Sequence, residues 1–166
     1  MWLTDLLATF HVLFAISWLG GGIMFGFIIA PRLGLMAPPA AREFFIRVVP
    51  TVLRFFIVVP TLTVIFGFLL LYNLIGGDWS MLSPSTSWGF DISLGMTFAL
   101  AALVVGEAGA SPALHRLVGL FESLGSPGGA TPESIPPAIN RARNFATLSI
   151  ALLLITMVFM VGAGFY

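Results

Sequence analysis

A histidine inside the first of four apolar stretches is the residue of this chain best suited to chemistry. It begins a row of residues spaced by four, three, four and four positions: His11, Ala15, Trp18, Gly22 and Gly26. Residues at these spacings share one face of a helix. Glycines on such a face allow a second helix to approach closely, and they also leave room for a flat cofactor beside the imidazole. Both interpretations remain open, and they are compatible.

Two roles are possible for His11 itself. It lies roughly 10 Å below the predicted membrane surface, from a rise of 1.5 Å per helical residue. Hydrocarbon at that depth penalises a polar group without a partner. The imidazole therefore either binds a metal or haem, or donates a hydrogen bond to a backbone carbonyl of a neighbouring helix.

Further ligands for the same centre would come from later apolar stretches. Met96 and Met157 fall within one helical turn of the predicted depth of His11, whereas Met160 and Asp91 lie nearer the surface. Histidine with a thioether is a ligand pair of low-spin haem, and methionine-rich sites with a histidine also suit Cu(I). Methionine equally fills gaps between helices. The residues thus predict haem b, with copper as the alternative, at this end of the molecule.

Glu107 is the other polar residue deep in an apolar stretch. Arg47 and Arg54 are seven residues apart, on one face of the preceding stretch. Because a charge within a membrane needs a partner, we predict a structural ion pair between Glu107 and Arg54 or Arg47. The functional alternative is a proton relay or an anion clamp formed by the arginines.

Four apolar helices must position these residues. They are predicted at about 4–30, 44–75, 89–111 and 143–165, with a cytoplasmic loop at 112–142. Each is long enough to cross a hydrocarbon core of roughly 30 Å. A mean hydropathy of +1.05 agrees with this prediction. The sequence therefore predicts an all-α fold, a four-helix bundle forming a single transmembrane domain over residues 1–166, integral to the cytoplasmic membrane.

The distribution of arginine predicts the orientation. The loops after the first and third stretches contain arginines, whereas the segment 76–91 contains two aspartates and no arginine. The positive-inside rule then places both termini outside. Aromatic residues that favour the interface lie at the same predicted outer surface: Trp2, Trp79, Trp88 and Tyr166.

Composition excludes several classes of function. Seven basic residues, all of them arginine, balance seven acidic ones, and without a basic cluster we expect no nucleic-acid partner. The chain has no cysteine, so disulfides, thiolate nucleophiles and iron–sulfur clusters are excluded. No nucleophile–base pair or phosphate-binding loop supports a hydrolase or a transferase. Whether the protein is an enzyme is left open.

Two segments resemble a known family. The first is HVLFAISWLGG, starting at His11, in a stretch that closes with PRL; the second is RARNF followed by MVFMVGAGF in the last stretch. Together they resemble CopD-like copper-resistance membrane proteins and the related-looking HemJ-type protoporphyrinogen oxidases. The resemblance implies a membrane helical bundle whose first histidine binds haem b or handles copper. HemJ-type proteins use a lysine in a later span, and this chain has no lysine, so the CopD-like group is the better match.

Three functional hypotheses follow. The first is electron transfer near the outer face by a haem-b-binding bundle, with a quinone or a redox partner subunit as its partner. The second is copper handling through the same residues. The third is a cofactor-free accessory subunit, in which the glycine row and the arginines are assembly surfaces. In each case we expect contact with the lipid bilayer and assembly as a homo-oligomer or within a larger membrane complex.

Overall fold

The computed structural model describes residues 2–33 and 35–164, and every regular element within them is a helix. Four helical spans are long and apolar enough to cross a membrane: span 1 (Trp2–Leu33), span 2 (Pro38–Ile75), span 3 (Ser87–Ser123) and span 4 (Pro132–Ala163). The predicted all-α four-helix bundle is confirmed, and the spans indicate a multi-pass membrane protein. The predicted position of Tyr166 lies outside the described residues.

The spans are paired as two antiparallel hairpins. At one end of the first hairpin, the Thr4 hydroxyl donates to the side-chain oxygen of Asn73 at 2.7 Å, joining the start of span 1 to the end of span 2. In the second hairpin, Asp91 at the start of span 3 lies against Gly162 at the end of span 4. The hairpins contact each other most extensively at the opposite end, which is the predicted cytoplasmic end.

Spans 1 and 3 have the same internal construction. In each, a long α-helix (Trp2–Ile23 or Ser87–Val105) leads into a π-helical segment, and a further α-helix follows. We call Met24–Ile29 the first π segment and Gly106–Ala110 the second π segment. A proline lies two residues after the end of each of them. Proline has no N–H, and its ring collides with the carbonyl four residues earlier. A wider turn before Pro31 and Pro112 relieves that collision, and π turns occur frequently at functional sites.

Span 2 is also interrupted. Its α-helices, Pro38–Arg47 and Val49–Ile75, meet at Val48, just before Pro50. Pro50 cannot donate the backbone hydrogen bond that would continue the first helix. The length of span 2 predicts that it tilts, bends at Pro50 and Pro60, or projects into the cytoplasm, and the interruption falls next to the first of these prolines. Pro60 lies within the second helix without breaking it.

The predicted loop at 112–142 is largely helical, which corrects the sequence-based boundaries. An α-helix covers Ser111–Ser123, and span 4 continues as an α-helix over Ile135–Ala163. The helix at 111–123 buries residues spaced by four positions: Ala113, Leu117 and Phe121. Hydropathy did not detect this helix because its other face is polar and exposed.

The buried core lies mainly at the predicted cytoplasmic end. There the Phe45 and Phe121 rings stack with centroids 4.3 Å apart, within a cluster that includes residues of all four spans. A smaller cluster of Trp18 and three neighbours lies nearer the centre. In contrast, Val158 is 71% exposed, as expected for a side chain that faces lipid.

Arg42 joins the two hairpins at this end, and its removal provides a test of the packing. Its Nε donates to the Phe121 carbonyl at 3.0 Å, at the carboxyl end of the helix 111–123, where a cation also interacts favourably with the helix dipole. We expect Arg42→Gln to lower the free energy of unfolding by about 1 kcal/mol, measured by thermal unfolding in detergent. Arg116→Gln, at an exposed position, is the control; equal effects of the two changes would contradict the assigned contact.

Candidate functional site

His11 lies in the interface between spans 1 and 2. Its Nδ1 is 2.9 Å from the carbonyl oxygen of Thr63, and Thr63 is buried. The ring lies directly over Gly67, where an added Cβ would be 2.8 Å from the His11 Cε1. Since a carbonyl accepts, Nδ1 carries the proton and donates. The hydrogen bond to a neighbouring backbone, one of the two roles predicted for His11, is therefore present.

The second ring nitrogen of His11 has no hydrogen-bond partner among the described residues. No buried side-chain nitrogen or oxygen in the described residues lacks a hydrogen-bond partner. Because the bond of His11 involves Nδ1 alone, Nε2 must be accessible at the protein surface. A proton on Nδ1 leaves a lone pair on Nε2, and metal-bound histidines typically donate their other N–H to a carbonyl or carboxylate. The two predicted roles are thus compatible in this geometry.

Aromatic rings surround the same interface. Phe10 and Phe66 stack with centroids 5.1 Å apart, and Phe14 stacks on Phe66 at 5.6 Å. Phe10 directly precedes His11, and Phe66 directly precedes Gly67. The three rings form an aromatic cluster between spans 1 and 2, near the level of His11.

The other predicted ligands have their contacts in the second hairpin. Met160 packs on span 3, where a Cβ added at Gly95 would lie 2.9 Å from its terminal methyl carbon. Asp91 faces Gly162 of span 4, Met157 is 46% exposed and Met96 is half-buried. The contacts of His11 are with span 2, so the structure does not show a single ligand set around it. Within residues 2–33 and 35–164, no three histidine or acidic residues cluster as a metal site.

The predicted ion pair of Glu107 with Arg54 or Arg47 is not formed. Arg47 instead pairs with Glu43, one helical turn earlier, at 2.6 Å. This local pair is available to an exposed arginine without crossing the bundle. Arg54 is exposed, and in the part of the chain that the structure describes it makes no ion pair with Glu107. Glu107 faces a cavity instead.

That cavity, of about 240 Å³, lies between the two hairpins. We call it the inter-hairpin cavity. Most of its walls are apolar, and both π segments contribute to them; its polar lining residues are Glu107, Ser111, Arg143 and Ser149. The Ser149 hydroxyl is already bonded to the Ala102 carbonyl at 3.1 Å.

The glycine row contributes to helix packing and to the inter-hairpin cavity. A Cβ added at Gly22 or Gly26 would lie 3.3 Å or 3.0 Å from side-chain carbons of Ile150 on span 4. Gly22, Gly26 and Trp18 also line the cavity. His11 is on the same face of span 1 but is not a lining residue. The predicted smooth face therefore borders a space that does not include the histidine.

Sequence reasoning did not identify Ser111 and Arg143 as site residues. One signal was present: Ser111 is four residues after Glu107, so the two share a helix face. The contribution of Arg143 depends on how span 4 packs against span 3, for which the sequence contains no direct signal.

Comparisons with protein-family models, curated proteins and solved structures found no match to this chain.

Proposed function

We propose that the protein is a membrane redox or metal-handling protein in which His11 binds haem b through Nε2. The observation that supports this proposal is the hydrogen bond from Nδ1 to the Thr63 carbonyl at 2.9 Å, with Nε2 left accessible. That bond selects the tautomer a ligand needs and holds the ring in one orientation. Haem b, when bound, supplies one-electron transfer chemistry.

One histidine of this chain would serve as a ligand to the iron of such a group. His11 would hold the iron, the Thr63 carbonyl would orient the imidazole, and Phe10 and Phe66 would exclude water from one side. Met96 and Met157 remain the proposed second ligands. Because Met157 is 46% exposed, it is also available at the surface where a second chain would contact span 4.

The proposed setting is the cytoplasmic membrane, with both termini outside and His11 toward the outer face. The arginines in the connections after spans 1 and 3 support this orientation. The positions of Trp2 and Trp79 also support it, because both are exposed at the end of the bundle where span 1 begins and span 2 ends. We propose a quinone or a partner redox subunit as the electron donor or acceptor. A homo-oligomer or a larger membrane complex would bring that partner to the exposed apolar surfaces of the spans.

Copper handling is the variant of this proposal that the CopD-like resemblance suggests. An imidazole with thioether sulfurs suits Cu(I), and His11, Met96, Met157, Met160 and Asp91 are the candidate ligands. Elemental analysis of the purified protein separates the two metals, because copper in place of iron supports only the variant.

A cofactor-free accessory subunit is the second candidate function. The observation in its favour is that the Thr63 carbonyl already satisfies one ring nitrogen of His11 and that the ring packs against Gly67. In this case His11 joins spans 1 and 2, and the exposed apolar spans are assembly surfaces.

An absorption spectrum of the protein, oxidised and then reduced with dithionite, tests the proposal. We expect a b-type α-band in the reduced protein that is lost in His11→Ala, because the axial nitrogen is removed. His115→Ala is the control, since that histidine is exposed near the other end of the bundle, and it should keep the band. A protein without a visible band and without bound metal would overturn the redox proposal and leave the accessory function.

A further inference from the structure

The inter-hairpin cavity contains a carboxylate without a partner cation. Glu107 lies in the second π segment and is half-buried. Within the described residues, no arginine or histidine nitrogen comes within 4.0 Å of its oxygens. A carboxylate among apolar walls is costly unless a cation or a hydrogen-bond donor reaches it. A positively charged occupant would supply the partner that Glu107 lacks among the described residues.

Aromatic rings line the same space. Trp18, Phe25 and Phe56 are lining residues, and the first two are buried, with 4% and 8% exposure. A cation near such rings is stabilised by their negative faces, most strongly by tryptophan. Carboxylate and aromatic walls together are complementary to an organic cation with an apolar body.

The one cationic residue of the cavity lies at its rim. Arg143 lines the cavity but is exposed, so water screens its charge more than that of half-buried Glu107. The Ser111 hydroxyl, one turn after Glu107, is also a lining group and can accept a second hydrogen bond from an ammonium ion. Of the two charges that line the cavity, that of Glu107 is therefore the less screened by water.

The position of the cavity also agrees with ligand binding. It lies where two similarly built hairpins meet, bordered by the irregular helical segment of each one. In membrane proteins built from repeated units, substrate sites typically lie at the interface of the units, next to interrupted helices. A volume of about 240 Å³ limits the occupant to a small molecule.

We propose that the inter-hairpin cavity binds a small lipophilic ammonium ion, whose charge pairs with Glu107 and whose apolar body packs against Trp18, Phe25 and Phe56. This inference goes beyond the proposed redox function and does not depend on it, because His11 does not line the cavity.

The test compares three probes with the same apolar cage: 1-adamantylamine, 1-adamantanol and adamantane-1-carboxylate. Binding is measured by the fluorescence of Trp18. The protein used has its other three tryptophans (Trp2, Trp79 and Trp88) changed to phenylalanine and is reconstituted in lipid nanodiscs. We expect the amine to bind at least about tenfold more tightly than the alcohol, and we expect the carboxylate not to bind. Glu107→Gln should remove the preference for the amine over the alcohol. Glu122→Gln, an exposed carboxylate on the same span, is the control and should retain it.

A second variant tests the site if Glu107→Gln does not fold. Gly106 lines the cavity, and a Cβ added there has its nearest neighbour at 3.8 Å, the Ser149 hydroxyl. Gly106→Leu should therefore fill the cavity and abolish binding of the amine. Equal affinity for amine and alcohol, or tighter binding of the carboxylate, would overturn the proposal, as would amine binding that survives both changes. Because the readout is fluorescence of a cavity residue, it separates this inference from the haem spectrum, which tests His11.

Discussion

Gly67→Val is expected to separate spans 1 and 2 at His11 and to destabilise the protein by about 2–4 kcal/mol. A Cβ at position 67 would lie 2.8 Å from Cε1 and 2.9 Å from Nδ1 of His11. The ring must then leave its place, which breaks the bond to Thr63 and leaves a donor without its partner. Overpacking typically costs 1–3 kcal/mol, and an unsatisfied buried donor adds a similar amount.

Thermal unfolding in detergent, followed by circular dichroism, measures this effect. Gly20→Val is the matched control, because a Cβ at Gly20 meets nothing within 4 Å. If the redox proposal holds, Gly67→Val also lowers haem occupancy, since the imidazole loses its orientation. Equal stability of the two variants would contradict the placement of His11 against span 2.

Gly109→Leu is expected to have a comparable effect on the second hairpin, again about 2–4 kcal/mol. Gly109 is buried in the second π segment and lies against the ring of Phe145 on span 4, where an added Cβ would be 2.8 Å from two of the ring carbons. Phe145 packs against the buried cluster at the predicted cytoplasmic end, so it cannot move without disturbing residues of the other hairpin.

Gly119→Leu provides the comparison on the same span. Gly119 is exposed, and a Cβ there meets nothing within 4 Å. The Gly119→Leu variant should unfold at the same temperature as the unchanged protein or slightly above it, because leucine favours a helix more than glycine does. Unfolding temperatures that do not distinguish the two leucine variants would show that spans 3 and 4 do not pack at Gly109.

The helical architecture was predictable because a membrane span depends on length and hydropathy, which are properties of a single segment. The helix boundaries were less predictable from the sequence. The helix at 111–123 was missed because its stability comes from one apolar face against the other spans, with Leu117 almost fully buried. The interruption of span 2 at Val48 was closer to prediction, since Pro50 acts through its own covalent geometry.

The site was less predictable because it depends on which faces meet. His11 could be identified from its type and depth, and the bond to a neighbouring carbonyl was one of its two predicted roles. The partner, Thr63, is 52 residues away, and no local pattern indicates it. Glu107 was paired with arginines on the assumption that a membrane charge must find a protein partner. The structure instead shows Arg47 satisfied within its own helix and Glu107 facing the inter-hairpin cavity.

The division into two hairpins has a consequence for biogenesis. The connection between them begins with Gly76 and Gly77, at φ of 57° and 86°, and each hairpin makes its own pairing contacts at the end of the bundle where span 1 begins. The first hairpin can thus insert into the bilayer during synthesis before the second is complete. Docking of the two would be the last assembly step, and it alone creates the inter-hairpin cavity. A molecule bound in that space would favour the assembled state by mass action.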